Sequence, residues 1–341
     1  MIRPFGIRDV VKIQRLQPQG VAFDLKKLLL DASSPMQSAL VGYLTYHHLG
    51  TITCIHDGAG EGKDLRGFVQ VYPHPEKSEW SLAFLSPSLE SHLKASDIWY
   101  RLLTYLVIYG AEQGISRIAA RAPEDGEIED VLRQAGFTVV NREEVFTFSG
   151  EMPSGPMPKG LFRLESVNSW AVGEFFRQVV PQCVQVGTFP TCWQTTGIGA
   201  PSGADASDEF VWLQEDKVLA YFGLQHTSKG CWLDIVVRPE HRGDILHCIK
   251  YILTLFNCTD KPVYCAVPDY SVGLGWLLRT LGFSTYARQV LLVAYTAARV
   301  PIRRQVAVTG LDRTVDLGTP VYHADLLTHL GTITEQARRA G

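Results

Sequence analysis

Apolar residues follow two different spacings along the chain, and these spacings distinguish strands from helices. In the first 148 residues, β-branched and aromatic residues cluster between turn residues, which is typical of strands. Apolar residues three and four positions apart are typical of helices. The predicted strands are 2–5, 39–47, 50–55, 66–72, 80–85, 117–121 and 137–148, and the predicted helices are 9–16, 98–113 and 127–134.

The remainder of the chain shows a similar order of elements. Its predicted strands are 161–165, 231–237, 263–267 and 283–295, with a hairpin over 210–225 that turns at 215–217. Its predicted helices are 169–180, 245–256 and 272–281. Both halves are therefore predicted to be mixed α/β units, in which a strand meander precedes alternating helices and strands.

Two ordered sequence matches indicate that the halves are copies of one unit. Leu132–Phe137 (LRQAGF) matches Leu278–Phe283 (LRTLGF) at an offset of 146 (278 − 132). Upstream, Trp80 matches Trp232 at an offset of 152 (232 − 80). A fixed internal period is the signature of duplication. The predicted domains are 1–150 and 161–300, joined by a linker at 151–160 that is rich in proline and glycine and followed by an extension at 301–341.

Composition and charge exclude several classes of protein. Among the 341 residues, 32 Lys and Arg oppose 35 Asp and Glu, giving a formal net charge of −3. This balance creates no basic field for nucleic acid or anionic lipid, so neither partner is predicted. No secretory signal and no long apolar run are present, which predicts a cytoplasmic protein. The histidines and seven cysteines lack the spacing of a metal site, so no metal is predicted.

The order of elements and the residues at their junctions resemble the GCN5-related N-acetyltransferase (GNAT) superfamily. The most specific motifs are the two Leu-Arg-x-x-Gly-Phe endings and the segment Leu233–Gly243 (LDIVVRPEHRG). The resemblance ends near Val300 and implies two acetyltransferase-like domains in tandem, each a mixed, mostly antiparallel sheet flanked by helices. It further implies transfer of an acetyl group from acetyl-coenzyme A to a primary amine on a small molecule or a peptide.

The resemblance places a coenzyme-binding loop after the strand that ends at Val237. In the superfamily, glycines of this loop and the following helix N-terminus hold the coenzyme A pyrophosphate, since amides and a helix dipole attract an anion there. The matching cofactor-binding residues are Val237, Arg242, Gly243, Asp244 and Ile245. The loop departs from the pattern at Ile245 and His247, where the family has glycine and a small residue. Asp234, on the preceding strand among apolar residues, is either the candidate catalytic base or a strand residue that faces solvent or pairs with a neighbour such as Arg238.

The first half departs further from the superfamily pattern. Its corresponding loop has no glycine, and Glu90 stands where the family has arginine. A carboxylate facing a pyrophosphate is repulsive, so the first domain is predicted to be a degenerate, structural copy.

Two hypotheses about function follow from these departures. The family's acidic tyrosine corresponds to Leu132 and Leu278, so both halves lack it, although Tyr264, Tyr270 and Tyr286 lie near the second site in sequence. The chain is either an acetyltransferase with its active site in the second half, or an inactive module that binds a ligand or a protein.

The segment 184–207 is a candidate acceptor-binding loop or a surface excursion. The extension, with a predicted helix at 324–339, lies on the other half or at a homodimer interface.

Overall fold

The computed structural model describes residues 1–30, 34–46, 50–58, 66–74, 78–150, 155–164, 169–185, 204–255 and 261–296. These residues all lie within one compact unit, Met1–Arg299. Most of the candidate acceptor loop 184–207 and all of the extension after 300 lie outside the described residues, as does the predicted helix 324–339.

The described chain contains thirteen strands and eight α-helices. The strands are β1 (Ile2–Pro4), β2 (Val21–Ala22), β3 (Ile52–His56), β4 (Gly67–His74), β5 (Glu79–Ser86), β6 (Arg117–Pro123), β7 (Thr138–Phe148), β8 (Leu161–Arg163), β9 (Ala204–Gln214), β10 (Lys217–Thr227), β11 (Cys231–Val237), β12 (Val263–Pro268) and β13 (Ser284–Tyr295). The helices are α1 (Val10–Leu16), α2 (Leu25–Leu30), α3 (Pro35–Leu44), α4 (Ala95–Glu112), α5 (Gly126–Gln134), α6 (Ser169–Val179), α7 (Leu246–Leu255) and α8 (Leu274–Thr280).

One predicted strand is wrong, because residues 35–44 form the helix α3. Ser34 caps this helix by accepting a hydrogen bond from the Gln37 amide, and Gln37 bonds back to the Ser34 amide in a capping box. Pro35 occupies the first helical position, where its fixed φ is favourable. The signal Ser-Pro-x-Gln was present in the sequence, but the β-branched and aromatic residues that follow it led to the strand prediction.

The strands of both halves join in one sheet, ordered β1-β3-β4-β5-β6-β13-β7-β12-β11-β10-β9-β8. The last strand of each half is exchanged. β13, from the second half, lies between β6 and β7 of the first half, while β7 pairs with β12 of the second. The predicted fold class is confirmed, and the exchange makes each half complete only with a strand from the other.

The register at the centre of the sheet shows the duplication directly. In the β7–β13 pair, Ser284 lies opposite Thr147, and Val293 lies opposite Thr138. An extra residue bulges from each strand, Val140 from β7 and Tyr286 from β13. The bulges are 146 residues apart (286 − 140), the offset of the Leu-Arg-x-x-Gly-Phe match. A pseudo-twofold axis therefore passes between β7 and β13.

The second sequence match does not mark equivalent positions. Trp80 lies in register with Ile118 and packs in the cluster under α4, whereas Trp232 packs against Leu30 of α2. These clusters cover opposite faces of the sheet. We call the face covered by α4, α5, α7 and α8 the front and the face covered by α1, α2, α3 and α6 the back. Side chains alternate between the two faces along each strand.

Candidate active site

Each half contains one pair of parallel strands that are hydrogen-bonded at their start and then separate. In the first half, β5 and β6 pair only from Glu79/Arg117 to Ser81/Ala119. In the second half, β11 and β12 pair only at Cys231/Val263 and Trp232/Tyr264. Beyond these points the strand edges diverge. We call the gap between β5 and β6 the first cleft and the gap between β11 and β12 the second cleft.

The first cleft is filled by the chain itself. β2 pairs with the open edge of β5, placing Val21 opposite Leu85 and Ala22 opposite Phe84. The Phe23 amide donates to the Ala83 carbonyl at 2.9 Å, and the Asp24 amide donates to the Arg121 carbonyl of β6 at 3.0 Å. The segment 21–24 therefore bridges both walls of the cleft. The Phe23 ring is 2% exposed and contacts Trp99 of α4, so the filling segment is part of the core.

The second cleft retains an open edge in the part of the chain that the structure describes. Residues 233–237 of β11 pair with β10 on one side, and β12 no longer pairs with them on the other. Strand amides and carbonyls on an unpaired edge are available to an extended ligand. At the end of β11, Val237 is buried, and the chain turns through a 3-10 segment, Pro239–His241, before α7 begins.

The loop before α7 contains all the predicted cofactor-binding residues after Val237. The Asp244 amide donates to the His241 carbonyl at 3.1 Å, while the amides of Gly243 and Ile245 donate to no carbonyl of the described chain. Ile245 is fully buried under the sheet. A Cβ added at Gly243 would meet no atom within 4 Å, so the space above the loop is open. Unpaired amides just before the N-terminus of a helix suit an anionic group, and this loop supplies two of them within the described chain.

The charged side chains of this loop are arranged less favourably for an anion. The Arg242 guanidinium donates to the carbonyls of Val272 and Tyr270 at 2.9 and 3.0 Å, which ties the loop to the segment after β12. The Asp244 carboxylate contacts the His241 ring at 3.2 Å and adds negative charge beside the open space. Arg242 therefore braces the loop through its side chain, and an anion at this loop would be bound by the backbone.

Asp234, the predicted base, is held on the back face by two donors. Lys26 of α2 donates to one carboxylate oxygen at 2.7 Å, and the Trp232 indole donates to the other at 2.8 Å. The Lys26 ammonium also lies 5.5 Å from the centre of the Trp232 ring. A helix of the first half therefore orients a carboxylate beside the second cleft. Leu25, Leu29 and Leu30 seat the same helix on this face.

A second group of polar side chains lies at the centre of the back face. Glu143 of β7 is 7% exposed, and Gln289 of β13 is 4% exposed. The Gln289 amide nitrogen donates to Glu143 at 2.6 Å, and Arg121 Nε lies 3.6 Å from the same carboxylate. Burial lowers the pKa of Arg121, but the carboxylates around it, Glu143 first, outweigh that effect and raise it. Arg121 therefore stays charged.

Tyr270 contacts the loop before α7 and lies close enough to this polar group to interact electrostatically with Glu143 and Arg121. Its carbonyl accepts from Arg242, and its ring packs with the cluster under α6. Burial, with a smaller effect of Glu143, raises the pKa of Tyr270, so its hydroxyl remains protonated at neutral pH. Of the three tyrosines that the sequence suggested, Tyr264 is also buried and its pKa is raised by burial, whereas Tyr286 is exposed.

Sequence reasoning proposed Asp234 and the loop but named none of the polar side chains around them. Lys26 reaches Asp234 from α2, and Arg121 of β6, Glu143 of β7 and Gln289 of β13 form the polar group at the centre of the back face. The 146-residue match already placed Glu143 and Gln289 at equivalent positions (289 − 143), which was the one available signal. No group of three or more potential metal ligands occurs within the described ranges.

Comparison with solved structures found several similar chains. A GCN5-related N-acetyltransferase from Sphaerobacter thermophilus superposes with a TM-score of 0.50 at 16% identity, covering 87% of this chain and 95% of that one. A tandem GNAT protein from the clavulanic acid biosynthesis pathway gives 0.49 at 13% identity, covering 87% and 98%. A GCN5-related N-acetyltransferase from Anabaena variabilis gives 0.46 at 12% identity, covering 86% and 72%. No family model and no curated protein sequence matches the chain.

The class follows from the topology and the Sphaerobacter likeness together. The chain has the GNAT fold, and the resemblance inferred from sequence is confirmed at that level. No helix within the described ranges is long and apolar enough to span a membrane.

Proposed function

We propose that the protein is an N-acetyltransferase that transfers an acetyl group from acetyl-coenzyme A to a primary amine, with its active site at the second cleft. The observation that supports this most strongly is the open edge of β11, which leads directly to the loop 238–245 and the start of α7. An extended chain with an anionic end fits such an arrangement, because the strand edge offers main-chain hydrogen bonds and the loop offers amides.

The proposed reaction needs few groups from the protein. Acetyl-coenzyme A supplies the acetyl group as a thioester. Amides on the open edge of β11 would polarise the thioester carbonyl, and the amides of Gly243 and Ile245 would hold the pyrophosphate. Asp234, oriented by Lys26 and Trp232, would take the proton from the attacking amine. Tyr270, whose carbonyl accepts a hydrogen bond from Arg242 of the loop, is our candidate proton donor to the leaving thiolate.

The first half would then support the site without binding coenzyme. β2 pairs with the edge of β5 that corresponds to the open edge of β11, so a ligand could not use that edge while β2 is in place. We therefore expect one coenzyme per chain, although the chain contains two copies of the fold.

Calorimetric titration with acetyl-coenzyme A and with coenzyme A tests the proposal. The decisive variant is Gly243→Glu, because the open space at this position accommodates a side chain while the new carboxylate would repel the pyrophosphate. The matched control is Gly126→Glu, at an exposed glycine in the first turn of α5 that also has no atom within 4 Å of an added Cβ.

We expect the wild type and Gly126→Glu to bind one equivalent of coenzyme with equal affinity, and Gly243→Glu to bind at least about tenfold more weakly, from like-charge repulsion at contact distance. No binding at millimolar coenzyme would contradict the proposal. Equal weakening by both variants would contradict the assignment of the loop. Unchanged turnover in Asp234→Asn would exclude that carboxylate as the base.

A non-catalytic coenzyme-binding module is a second candidate function. The observation that favours it is the complete engagement of Asp234 by Lys26 and Trp232, combined with leucines at both positions where the superfamily has its tyrosine. Coenzyme binding in calorimetry without thiol release, across a panel of primary amines, would select this alternative over the enzyme.

A further inference from the structure

Glu143 and Gln289 occupy equivalent positions in the two copies of the fold and contact each other on the pseudo-twofold axis. They lie directly opposite one another in the β7–β13 pair. On its other side Glu143 lies in register with Pro268 at the end of β12, whereas Gln289 lies in register with Pro123 at the end of β6. The carboxylate is thus beside the open second cleft, and its amide counterpart is beside the first cleft, which β2 fills.

The hydrogen bonds of this pair leave one buried acceptor without a donor. Gln289 donates through its nitrogen to Glu143, and its carbonyl oxygen Oε1 has no hydrogen-bond partner among the described residues, although the side chain is 4% exposed. Rotating the amide by 180° would aim that oxygen at the Glu143 carboxylate and create a repulsion. Glu143 therefore fixes the orientation of the Gln289 side-chain amide. The unpaired Oε1 atom is a consequence of this arrangement.

The other polar groups that the structure describes around Glu143 leave this oxygen without a donor. Glu143 also receives a long contact of 3.5 Å from Asn141 and lies 3.6 Å from Arg121. Arg121 is itself surrounded by Asp24, Glu79 and Asp234 as well as Glu143. A buried acceptor without a partner costs free energy that a ligand donor would recover. An ammonium group provides three N–H donors and a positive charge, which matches a carboxylate next to an amide oxygen.

We propose that Glu143 and the Oε1 atom of Gln289 bind the primary ammonium group of the acceptor, so that the exchanged strands of both halves form the acceptor site of the second cleft. This inference rests on the proposed acetyltransferase function, because only that function makes the bound amine an acceptor. The binding of an amine can be measured without the coenzyme. The ligand class is a primary alkylamine in its protonated form. The site discriminates against neutral alcohols of the same length, because an alcohol brings one donor and no charge.

The probe is n-butylamine, with n-butanol as its uncharged analogue, added to the full-length protein labelled with ¹⁵N. The readout is the side-chain amide signal of Gln289, assigned by its loss in Gln289→Leu. We expect butylamine to shift this signal in a saturable way and butanol to leave it unchanged. Glu143→Gln should weaken butylamine binding by about tenfold or more, as expected for loss of a charged hydrogen bond.

The matched control is Glu144→Gln, which makes the same charge change on the next residue. Glu144 points to the other face, where it bonds to Arg279 and Thr285 at 2.8 Å. Butylamine affinity in Glu144→Gln should equal that of the wild type. If Glu143→Gln does not fold, Gln289→Leu is the second test variant. Its butylamine affinity, measured by calorimetry, should also fall.

Two outcomes overturn the inference. One is the absence of a saturable shift in the wild type, and the other is equal butylamine affinity in the wild type and in a folded Glu143→Gln or Gln289→Leu. Acetyl-coenzyme A titration of the same samples separates the two proposals. Coenzyme binding without amine binding rejects the acceptor site alone, whereas amine binding without coenzyme binding rejects the acetyltransferase and keeps the site.

Discussion

The two clefts have the same construction but different contents. Each lies between a parallel pair of strands that separate after two or three residues, and each is bordered by a strand from the other half. The first is closed by Val21–Asp24, which bonds to both walls, whereas no described residue pairs with this edge of β11 in the second. The two halves thus form similar frames, and a short segment after α1 closes one of them.

The filled cleft also contributes to the open one. Immediately after β2, the chain forms α2, and this helix places Lys26 on Asp234 of the second half. Asp24, between the two elements, adopts a left-handed conformation with φ of 69°, which turns the chain from one half toward the other. Closing the first cleft and orienting the carboxylate at the second are therefore done by one continuous segment.

The largest effect is expected from removing the side chain that seals the first cleft. Phe23→Ala should lower the free energy of unfolding by about 4 kcal/mol, because it leaves a cavity against Trp99 in a closely packed core. Leu28→Ala, on an exposed position of α2, should cost less than about 1 kcal/mol. Chemical denaturation of both variants checks this. Equal losses would show that β2 is only loosely held in the cleft.

The next effect concerns a buried ionic cluster present in the first half. The Asp9 side chain is 2% exposed and pairs with Arg3 and Lys12, whereas Arg163 of β8 in the second half forms a more exposed pair with Asp208 of β9. The hydrogen bond from Arg3, with further help from Lys12, holds the pKa of Asp9 far below its ordinary value. Asp9→Asn should cost about 3 kcal/mol at neutral pH, since it breaks a buried ion pair.

The sign of the pH dependence follows from that lowered pKa. The contribution of Asp9 is complete above the unfolded carboxyl pKa of about 4 and is lost as the pH falls toward the folded value. The difference in unfolding free energy between wild type and Asp9→Asn should therefore shrink below pH 4. Asp97→Asn, on an exposed pair with Arg101, should show no such change. Hydrogen exchange should show the first half opening before the second in acid.

A smaller effect is expected at the connection between the two clefts. Lys26→Met keeps an apolar stem beside Trp232 but removes the ion pair with Asp234, and it should cost about 1 kcal/mol or less because the pair is partly exposed. Turnover of the proposed acetyltransferase should acquire a different pH profile. Lys27→Met, whose ammonium lies over Tyr72 of the first half, is the matched control and should leave the profile unchanged.

The smallest effect is expected at the loop 238–245, the proposed coenzyme-binding loop. Asp244→Asn removes a carboxylate beside the open space and should tighten coenzyme binding about threefold, the scale of a solvent-exposed charge repulsion. The gain should decrease between low and moderate salt, because exposed charges are screened. Calorimetry at two salt concentrations measures it. An unchanged affinity at both concentrations would mean that the phosphates lie away from this loop.

Local sequence determined most of the elements and their order. The spacing of apolar residues predicted all three helices placed in the second half to within about two residues, an error typical of element ends. The turn at 215–217 was also predicted, and Glu215 and Asp216 adopt the positive φ angles of a tight hairpin. These features depend on neighbours within one turn or one hairpin, so a linear pattern is sufficient to reveal them.

The tertiary structure alone decided which half borders which cleft. Pairing of β7 with β12, insertion of β2 and the contact of Lys26 with Asp234 join residues separated by more than 60 positions. Such contacts depend on the competition between strand edges for backbone hydrogen bonds, and no local periodicity encodes its outcome. The sequence thus specified two copies of one fold, while the folded chain closed the cleft of the first copy and placed Lys26 of that copy on Asp234 of the second.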